Sequence, residues 1–289
     1  MMKKRAFAKI NLSLDVISRR EDGYHELEMV MVPIDLFDTV EITIAEKMQI
    51  ASDKSFLPLD SRNTVINAIE VMREKYGFEE NFNIRLVKNI PTQAGLAGGS
   101  TDAATTIKII NELLQLNMSE NEMYEVAEVV GSDVPFCLFG KPAQVKGVGE
   151  QLSPIEINLD FYLFLAKPRM GVSTKAAFTN LDMNHLAHAN TPKMVEALKE
   201  NDYDKFLENL KNSLEAPAII EVPEILKMKD ELIDFGFDAA LMSGSGSTIF
   251  AVTRSEELVN RAIKRFWNRY WFVKKTRIIK DISVVEDIT

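Results

Sequence analysis

The chain has 289 residues, 46% of them hydrophobic, which is enough for one large domain or for two domains of ordinary size. Its 34 basic and 43 acidic side chains give a formal charge of −9, which argues against nucleic acid as a partner. The single cysteine, Cys137, excludes an intrachain disulfide and is typical of a reducing cytoplasm. No apolar run approaches the roughly 18 residues of a membrane span, and the basic N-terminus lacks the apolar segment of a secretion signal.

The first predicted element is a strand from Ala6 to Ile17, in which apolar and polar residues alternate. Its apolar residues would face the core. Lys9 and Asn11 would share the opposite face, about 7 Å apart along the strand. This polar face is either part of a site or a solvated surface, and the segment alone favours neither.

A turn is predicted from Arg19 to Gly23, because Asp-Gly favours a positive φ and a hairpin. Tyr24 and His25 follow this turn directly. The stretch from Lys47 to Arg62 is predicted to be irregular. The other elements of this part are two strands, a helix ended by Gly77 and a short strand: Met29 to Ile34, Thr39 to Ile44, Asn63 to Tyr76 and Phe82 to Val87.

A glycine-rich stretch, IPTQAGLAGGSTDAA, begins at Ile90 and precedes a helix whose apolar face is marked by Ala103, Ile107, Ile110 and Leu114. The first turn of a helix has unpaired N–H groups, and glycine lets a ligand approach the backbone, so the stretch predicts a phosphate site. It is neither a Walker A loop nor a Rossmann fingerprint, because no lysine precedes the serine and the glycine spacing differs. A plain helix cap by one of residues 100–102 is the alternative.

A second helix is predicted from Glu120 to Val130, because Ser119 and Glu122 have the spacing of a capping box. It ends at the bend GSDVP, in which Asp133 lies between a glycine and a proline. An aspartate in such a bend usually supports the turn, and a role in chemistry is the alternative.

The rest of the chain mixes strands and helices. Strands are predicted at Ala143 to Val148, Asp160 to Ala166, Ala239 to Met242, Thr248 to Val252 and Phe272 to Ile279. Helices are predicted up to Phe178, from Pro192 to Phe235 with breaks, and from Glu256 to Tyr270. Strands dominate the beginning and helices the middle, which predicts an α+β fold and not a regular βαβ alternation.

Four stretches together resemble the GHMP kinase superfamily: AKINLSLDVISRREDGYHELE from Ala8, IPTQAGLAGGSTDAA from Ile90, GSDVPF from Gly131 and MSGSGSTIF from Met242. Their order and spacing match over nearly the whole chain. The resemblance implies a two-domain α+β kinase fold, with residues 1–155 like domain 2 of ribosomal protein S5 and residues 156–289 an α/β sandwich. It also implies ATP and Mg²⁺ as cofactors, an alcohol as acceptor, and a monomer or homodimer.

The resemblance further implies an active site between the two domains. Lys9 and Asp133 would be catalytic, with Asp133 removing the proton of the acceptor hydroxyl and Lys9 steadying charge. One of Ser100, Thr101 and Asp102 would contact the metal, and Ser100 is the first candidate. The ATP phosphates would lie on the glycine-rich loop, with these residues in the binding site: Pro91, Gly95, Leu96, Ala97, Gly98, Gly99, Ser100 and Thr101.

The acceptor implied by the resemblance is a small molecule that carries a cytidine diphosphate group. Tyr24 and Phe178 would form aromatic walls around the cytosine ring, and His25 would hydrogen-bond to its polar edge. The residues implied for acceptor binding are Asn11, Tyr24, His25, Thr174, Phe178, Gly244, Ser245 and Gly246.

The chain departs from the family pattern at three places. Ala97 stands where glycine is usual, and we expect it to be accommodated with a negative φ. Thr101 replaces a second serine and keeps its hydroxyl. The segment Asn212 to Glu215 lacks the acidic residue that commonly follows the asparagine. Two alternatives therefore stay open: a kinase of this superfamily that acts on another small alcohol, like homoserine or mevalonate, and a non-catalytic RNA-binding module.

Overall fold

The computed structural model describes residues 1–55, 57–58, 60–183 and 185–288. The strands are β1 (Met2–Arg19), β2 (His25–Ala45), β3 (Gln49–Ser52), β4 (Asn81–Val87), β5 (Ala143–Gly147), β6 (Gln151–Pro154), β7 (Tyr162–Lys167), β8 (Lys211–Asn212), β9 (Ala239–Met242), β10 (Ile249–Thr253) and β11 (Phe272–Thr276). The helices are α1 (Thr64–Tyr76), α2 (Gly98–Leu113), α3 (Glu120–Val130), α4 (Val134–Phe139), α5 (Thr174–Thr179), α6 (Thr191–Glu200), α7 (Tyr203–Glu208), α8 (Glu215–Glu221), α9 (Glu224–Phe235) and α10 (Glu256–Phe266). The predicted α+β class is confirmed.

The first sheet has seven strands and is built on the long antiparallel hairpin of β1 and β2. β4 and then β3 follow on the other side of β2, while β5 and β6 extend from the first half of β2. The register of the hairpin shifts between Phe7 and Lys9 and again between Asn11 and Ser13. Such bulges re-aim side chains locally, and here they flank the two polar residues of β1 that were predicted to share a face.

The second sheet has four antiparallel strands in the order β11-β7-β10-β9. β8 comes from the second half of the chain, yet it pairs in parallel with β1 of the first sheet. The predicted domain boundary between residues 155 and 156 stays a prediction. None of the helices in the described ranges is long and apolar enough to cross a membrane.

Buried side chains form three apolar clusters that explain why these elements pack. One lies between the first sheet and helices α1 to α4. Another joins the two sheets, because Ala8, Ile10 and Leu12 of β1 share it with Leu165 and Phe250 of the second sheet. The third lies mainly around the second sheet and its helices. A layered α+β molecule follows, with β1 in contact with both halves of the chain.

Several predicted elements are confirmed in detail. α1 buries its predicted stripe of Val65, Ala68, Ile69 and Met72, and Gly77 ends it in the left-handed conformation. The capping box of α3 is present, with both Ser119 and Glu122 making their bonds. These features depend on local spacing alone, which is why the sequence indicates them so directly.

Other predicted elements are wrong. The two strands predicted at Met29 to Ile34 and Thr39 to Ile44 are one continuous strand, β2, because both parts pair with the single long strand β1. The stretch predicted to be irregular contains β3, which pairs in parallel with β4. The short elements α4, β6 and β8 were not predicted. Each is too short for a periodic pattern and depends on neighbours that are distant in sequence or on a turn.

Candidate active site

A cleft of about 540 Å³ opens between the glycine-rich loop, β1 and the loop that joins β9 to β10. Fifteen of the predicted site residues line it, and they come from both halves of the chain: Lys9, Asn11, Pro91, Gly95, Leu96, Ala97, Gly98, Gly99, Ser100, Asp133, Thr174, Phe178, Gly244, Ser245 and Gly246. The resemblance therefore identified a set of residues that the fold brings to one place. Three predicted residues, Thr101, Tyr24 and His25, are not part of this lining.

The backbone of the glycine-rich loop presents free donors to the cleft. Among the described residues, no acceptor pairs with the amide N–H groups of residues 95–100, whereas the carbonyl groups of Gln93, Ala94, Gly95 and Leu96 accept hydrogen bonds from other parts of the protein. Tied carbonyls and free amides at the start of α2 make a cradle for an anion, because the helix dipole adds positive charge there.

Gly95 is required for the close contact between this loop and the loop that follows β9. Its φ is +70°, and a Cβ at this position would lie 1.9 Å from the carbonyl oxygen of Ser243. The Ser243 hydroxyl in turn donates to the carbonyl of Gly95 at 3.0 Å. Only glycine fits this approach, since any side chain would collide with backbone.

The conformation of Ala97 differs from our expectation. We expected a negative φ, but Ala97 has a φ of 58° and a ψ of 30°, in the left-handed region. It occupies the N-cap position of α2 without a side-chain capping bond. An alanine there is strained, because its Cβ crowds the backbone in this conformation, which explains why glycine is the usual residue at this position.

The centre of the cleft is formed by Lys9, Asn11 and Asp133. The Lys9 Nζ donates to Asn11 Oδ1 at 2.8 Å and lies 3.5 Å from Asp133 Oδ2. Lys9 and Asn11 are 4% and 1% exposed, so their face of β1 is not a solvated surface. The bulges on either side of this pair direct both side chains to the same point, as the alternation predicted.

Asp133 is free to act as an acceptor. It precedes α4, yet its side chain makes no capping bond, and the Lys9 ion pair is its one polar contact among the described residues. The Asp133 side chain is 37% exposed, which leaves it open to the cleft. The alternative that it merely supports a turn therefore has no hydrogen bond in its favour.

The two hydroxyl residues of the loop point in different directions. Thr101 is 1% exposed, and its hydroxyl donates to the carbonyl of Phe7 at 2.8 Å, so it ties α2 to β1 instead of facing the cleft. Ser100 lines the cleft, and its hydroxyl bonds to none of the other described residues. Of these two, Ser100 is the one that a metal or a phosphate could reach.

The aromatic residues predicted for the acceptor are arranged differently from a pair of walls. Tyr24 lies at the end of the hairpin turn and is 65% exposed. The ring of His25 stacks on Phe178, with centroids 5.1 Å apart and an angle of 24°. Burial, together with the positive charge of Arg19, lowers the pKa of His25, so its neutral form is favoured near pH 7.

The remaining predicted contacts lie on the side of the second sheet. The Thr174 hydroxyl is 2.9 Å from the hydroxyl of Ser245, which joins α5 to the loop after β9. Asn212 fixes that loop, because its side-chain amide donates to the carbonyls of Met242 and Gly244, both at 2.8 Å. The sequence showed Asn212 only as the start of a segment that departs from the family pattern.

A buried ionic cluster below the glycine-rich loop was not predicted. Lys88 lies between the carboxylates of Asp38 and Asp102, and all three side chains are at most 5% exposed. In the sequence, Asp102 was a candidate for a helix cap or a metal contact, not for an ion pair. A lysine after a strand and an aspartate in a helix carry no signal in sequence, because the contact depends on three separate elements.

Comparisons with known proteins agree with this geometry. Two protein-family models match the chain. The family described as GHMP kinases N terminal domain matches residues 63–141, and the family described as GHMP kinases C terminal matches residues 194–272. The first match contains the glycine-rich loop and Asp133. The second contains β8, β9 and the loop with Gly244 to Gly246.

Curated relatives share much of the chain. Proteins from Clostridium kluyveri and Bacillus licheniformis, both named 4-diphosphocytidyl-2-C-methyl-D-erythritol kinase, are each 43% identical to it. The alignments cover 86% of the chain and 89% of the Clostridium protein, and 89% of the chain and 90% of the Bacillus protein. A protein of the same name from Bacillus cereus is 39% identical over 93% of the chain and 95% of its own length.

Solved structures share the fold. A crystal structure of 4-(cytidine 5'-diphospho)-2C-methyl-D-erythritol kinase superposes with a TM-score of 0.80 at 28% identity, and covers 96% of this chain and 99% of that one. A homoserine kinase from Cytophaga hutchinsonii superposes with a TM-score of 0.78 at 22% identity, over 97% and 95%. This second likeness shows the fold alone.

Proposed function

Because the chain belongs to the GHMP kinases and, within them, to the 4-diphosphocytidyl-2-C-methyl-D-erythritol kinases, we propose that it catalyses the reaction for which these relatives are named. It transfers the γ-phosphoryl group of ATP to the 2-hydroxyl of 4-diphosphocytidyl-2-C-methyl-D-erythritol, in non-mevalonate isoprenoid precursor biosynthesis. The single observation that carries the proposal is the pair of Lys9 and Asp133 beside the free amides of the glycine-rich loop.

Asp133 takes the proton of the acceptor hydroxyl. As that oxygen bonds to the γ-phosphorus, the bond between the phosphorus and the bridging oxygen of ATP breaks, and ADP leaves with the electron pair. Phosphoryl transfer requires mainly positioning and charge neutralisation, so one carboxylate and one ammonium are a sufficient set of side chains. Lys9 offsets negative charge at the reacting groups, and its bond to Asn11 holds it there.

Free amides support the binding of the polyphosphate of ATP. Residues 95–100 offer consecutive N–H donors at the start of α2, and Gly98 and Gly99 leave the backbone accessible. The Ser100 hydroxyl has no competing partner in the described part of the chain, so it suits a Mg²⁺ ion bound mostly by phosphate oxygens and water. When bound, that ion neutralises phosphate charge.

The acceptor would occupy the other half of the cleft. Phe178 offers a ring face for a base, Tyr24 lies on the neighbouring turn, and neutral His25 can both donate and accept a hydrogen bond. Thr174, Ser245 and Asn11 supply further polar groups near the diphosphate and the alcohol. The names of the relatives do not favour another alcohol or RNA.

A direct test measures ADP release with three alcohols in parallel: 4-diphosphocytidyl-2-C-methyl-D-erythritol, homoserine and mevalonate. We expect turnover with the first and background rates with the other two. The variant Asp133→Asn is the blank for contaminating kinases, because it should lack most of the activity. Equal or faster turnover with homoserine or mevalonate would overturn the proposed acceptor, and no ADP release with any of them would overturn the proposed activity.

A further inference from the structure

We propose that Asp38, Lys88 and Asp102 form a positioning device that clamps the two ends of the glycine-rich loop and so sets the affinity for ATP. The inference rests on the proposed function, because it concerns the loop that would hold the polyphosphate. The three residues come from β2, from the residue after β4 and from the first turns of α2. They are positioning residues, since they act through the backbone of the loop.

The clamp holds the start of the loop through Asp38. One oxygen of this carboxylate accepts the backbone N–H groups of Asn89 at 2.5 Å and Ile90 at 2.8 Å. Its other oxygen accepts from the Lys88 ammonium. Asp38 is fully buried and does not line the cleft. Any influence of Asp38 on ATP therefore has to pass through the protein.

The clamp holds the end of the loop through Lys88. Its ammonium donates to the Asp102 carboxylate and to the carbonyl of Gly98 at 3.3 Å, both in the first turns of α2. A lysine has three N–H donors, and Asp38, Asp102 and Gly98 use all of them. Lys88 lines the cleft, but it cannot bond to a ligand without giving up one of these contacts.

The loop between these two anchors, from Pro91 to Ala97, is the part with free amides. The carbonyls of residues 93–96 accept hydrogen bonds from other parts of the protein, whereas the N–H groups of residues 95–100 have no acceptor among the described residues. Their direction therefore depends on where Ile90 and Gly98 are held. A misplacement of about 1 Å can reduce a rate by about 100-fold, so holding both ends of the loop in place has a functional consequence.

Burying two carboxylates around one ammonium is costly, and stability alone is a weak reason for it. Burial raises the pKa of Asp102, which Lys88 opposes and Asp38 reinforces. One oxygen of Asp102, Oδ1, has no hydrogen-bond partner among the described residues. This cluster is costly to bury, and it contacts both ends of one loop. Both facts together indicate that its role is to shape that loop.

The test uses the isosteric variant Asp38→Asn in the full-length enzyme. We expect the amides of Ile90 and Thr248, whose hydrogen bonds tie the loop to Asp38 and to the second sheet, to exchange with solvent about tenfold faster in the absence of ATP, because one anchor is weakened. The dissociation constant and the KM for ATP should both rise about tenfold, while the KM for the acceptor should stay within about twofold. Lys75→Met, which removes an exposed ion pair with Glu125, is the control and should change none of these values.

Three outcomes would overturn the positioning role. One is a raised KM for ATP without faster exchange in the loop, which would mean that ATP contact is lost directly. The second is faster exchange throughout the protein, which would mean general destabilisation. The third is no change in either measurement. If Asp38→Asn does not fold, Asp102→Asn is tested by exchange in the free enzyme alone, because Asp102 lines the cleft and its replacement could also remove a contact with ATP.

The design separates this inference from the proposed function. Exchange in the free enzyme and the dissociation constant for ATP are both measured without acceptor. If the wild-type enzyme fails to phosphorylate the proposed acceptor, these two measurements still decide whether the clamp shapes the loop.

Discussion

The two halves of the cleft differ in how firmly their polar groups are held. Beside the glycine-rich loop, Lys9 and Asn11 are buried and bonded to each other, and Lys88 has three acceptors. On the side proposed for the acceptor, Tyr24 is 65% exposed and its side chain makes no hydrogen bond within the described residues. A buried polar group without a partner is costly, so the buried groups beside the glycine-rich loop are held by their hydrogen bonds. The exposed turn at Tyr24 has no such requirement.

Under the proposed function, ATP would bind at a site whose polar groups are already held in place, and the acceptor would bind at one whose groups are not. The rings of His25 and Phe178 are stacked at 5.1 Å, which leaves no room between them for a base. A ring inserted between them would need about twice the normal stacking distance. Binding of a base between these two rings would therefore require one of them to move, while nothing comparable blocks the amides of residues 95–100.

The largest effect is expected at Asp133, in the half of the cleft that contains Lys9 and Asn11. Asp133→Asn removes the proton acceptor but keeps its shape, so kcat should fall about 1000-fold. The KM for ATP and the midpoint of thermal unfolding should stay nearly unchanged, because the Asp133 side chain makes no capping bond and the backbone bond from Cys137 to its carbonyl is kept. Steady-state kinetics and a melting curve measure these quantities.

Asp160→Asn is the matched control for this experiment. Asp160 is an exposed carboxylate shortly before β7, and its replacement should leave kcat as it is. A near-normal kcat in Asp133→Asn would refute its role as the proton acceptor. Loss of ATP affinity in that variant would instead mean that Asp133 contributes to binding the polyphosphate of ATP.

A second prediction tests how rigidly the glycine-rich loop is held. Gly95→Ala introduces a Cβ that would lie 1.9 Å from the Ser243 carbonyl at a φ of +70°. The free energy of unfolding should fall by about 3 kcal/mol, the combined effect of left-handed strain and a backbone collision. Urea denaturation measures this change, and the dissociation constant for ATP should rise with it.

Gly23→Ala separates the strain from the collision. Gly23 has a φ of +87°, but a Cβ there would meet no atom within 4 Å. The strain alone should lower the free energy of unfolding by about 1 kcal/mol. If both variants lose the same amount, the contact between Gly95 and the loop after β9 is not as close as the structure indicates.

Sequence patterns predicted the elements that depend on local spacing and failed where distant pairing decides. The α1 stripe and the α3 capping box need only neighbours within a few residues. By contrast, β2 is continuous because β1 pairs with its whole length, and β8 is a two-residue strand that forms by pairing with the distant β1. No local window contains that information.

The site follows the same division. Alternation correctly placed Lys9 and Asn11 on one face, but it could not tell a buried face from a solvated one. The approach of Asp133 to Lys9 came from the family resemblance, not from spacing. Nothing in the sequence indicated the contact of Lys88 with Asp38 and Asp102, since it joins three elements that are far apart along the chain.

The third prediction concerns the loosely held half. Tyr24→Ala and Phe178→Ala should each raise the KM for the acceptor about tenfold, because stacking on a base contributes about 1–3 kcal/mol. The KM for ATP should be unaffected in both. Trp267→Ala is the control, since Trp267 is 64% exposed like Tyr24 but does not line the cleft.

The two aromatic variants also decide which ring meets the base. If only Phe178→Ala raises the KM for the acceptor, the base stacks on Phe178 and the exposed ring of Tyr24 takes no part. If both variants raise the two KM values equally, neither ring is a wall for the base. Initial rates at varied acceptor and fixed ATP, and the reverse, separate these cases.

The smallest effect is expected from Ala97→Gly, which relieves strain in the glycine-rich loop. Ala97 has a φ of 58°, which glycine adopts without a Cβ clash. The relief of about 1–2 kcal/mol is partly offset by the greater freedom of glycine in the unfolded chain, so the free energy of unfolding should rise by about 0.5–1 kcal/mol. Urea denaturation of the two proteins side by side measures it.

Ala216→Gly is the counterpart with the opposite expected sign. Ala216 is exposed in the first turn of α8, where the backbone is right-handed, so glycine should lower the free energy of unfolding by about 0.5–1 kcal/mol. Opposite signs at the two positions would assign the gain at Ala97 to its backbone conformation. A lower free energy of unfolding in both variants would mean that the loop holds Ala97 without strain. The backbone of the glycine-rich loop would then be less tightly constrained than the rest of its half of the cleft.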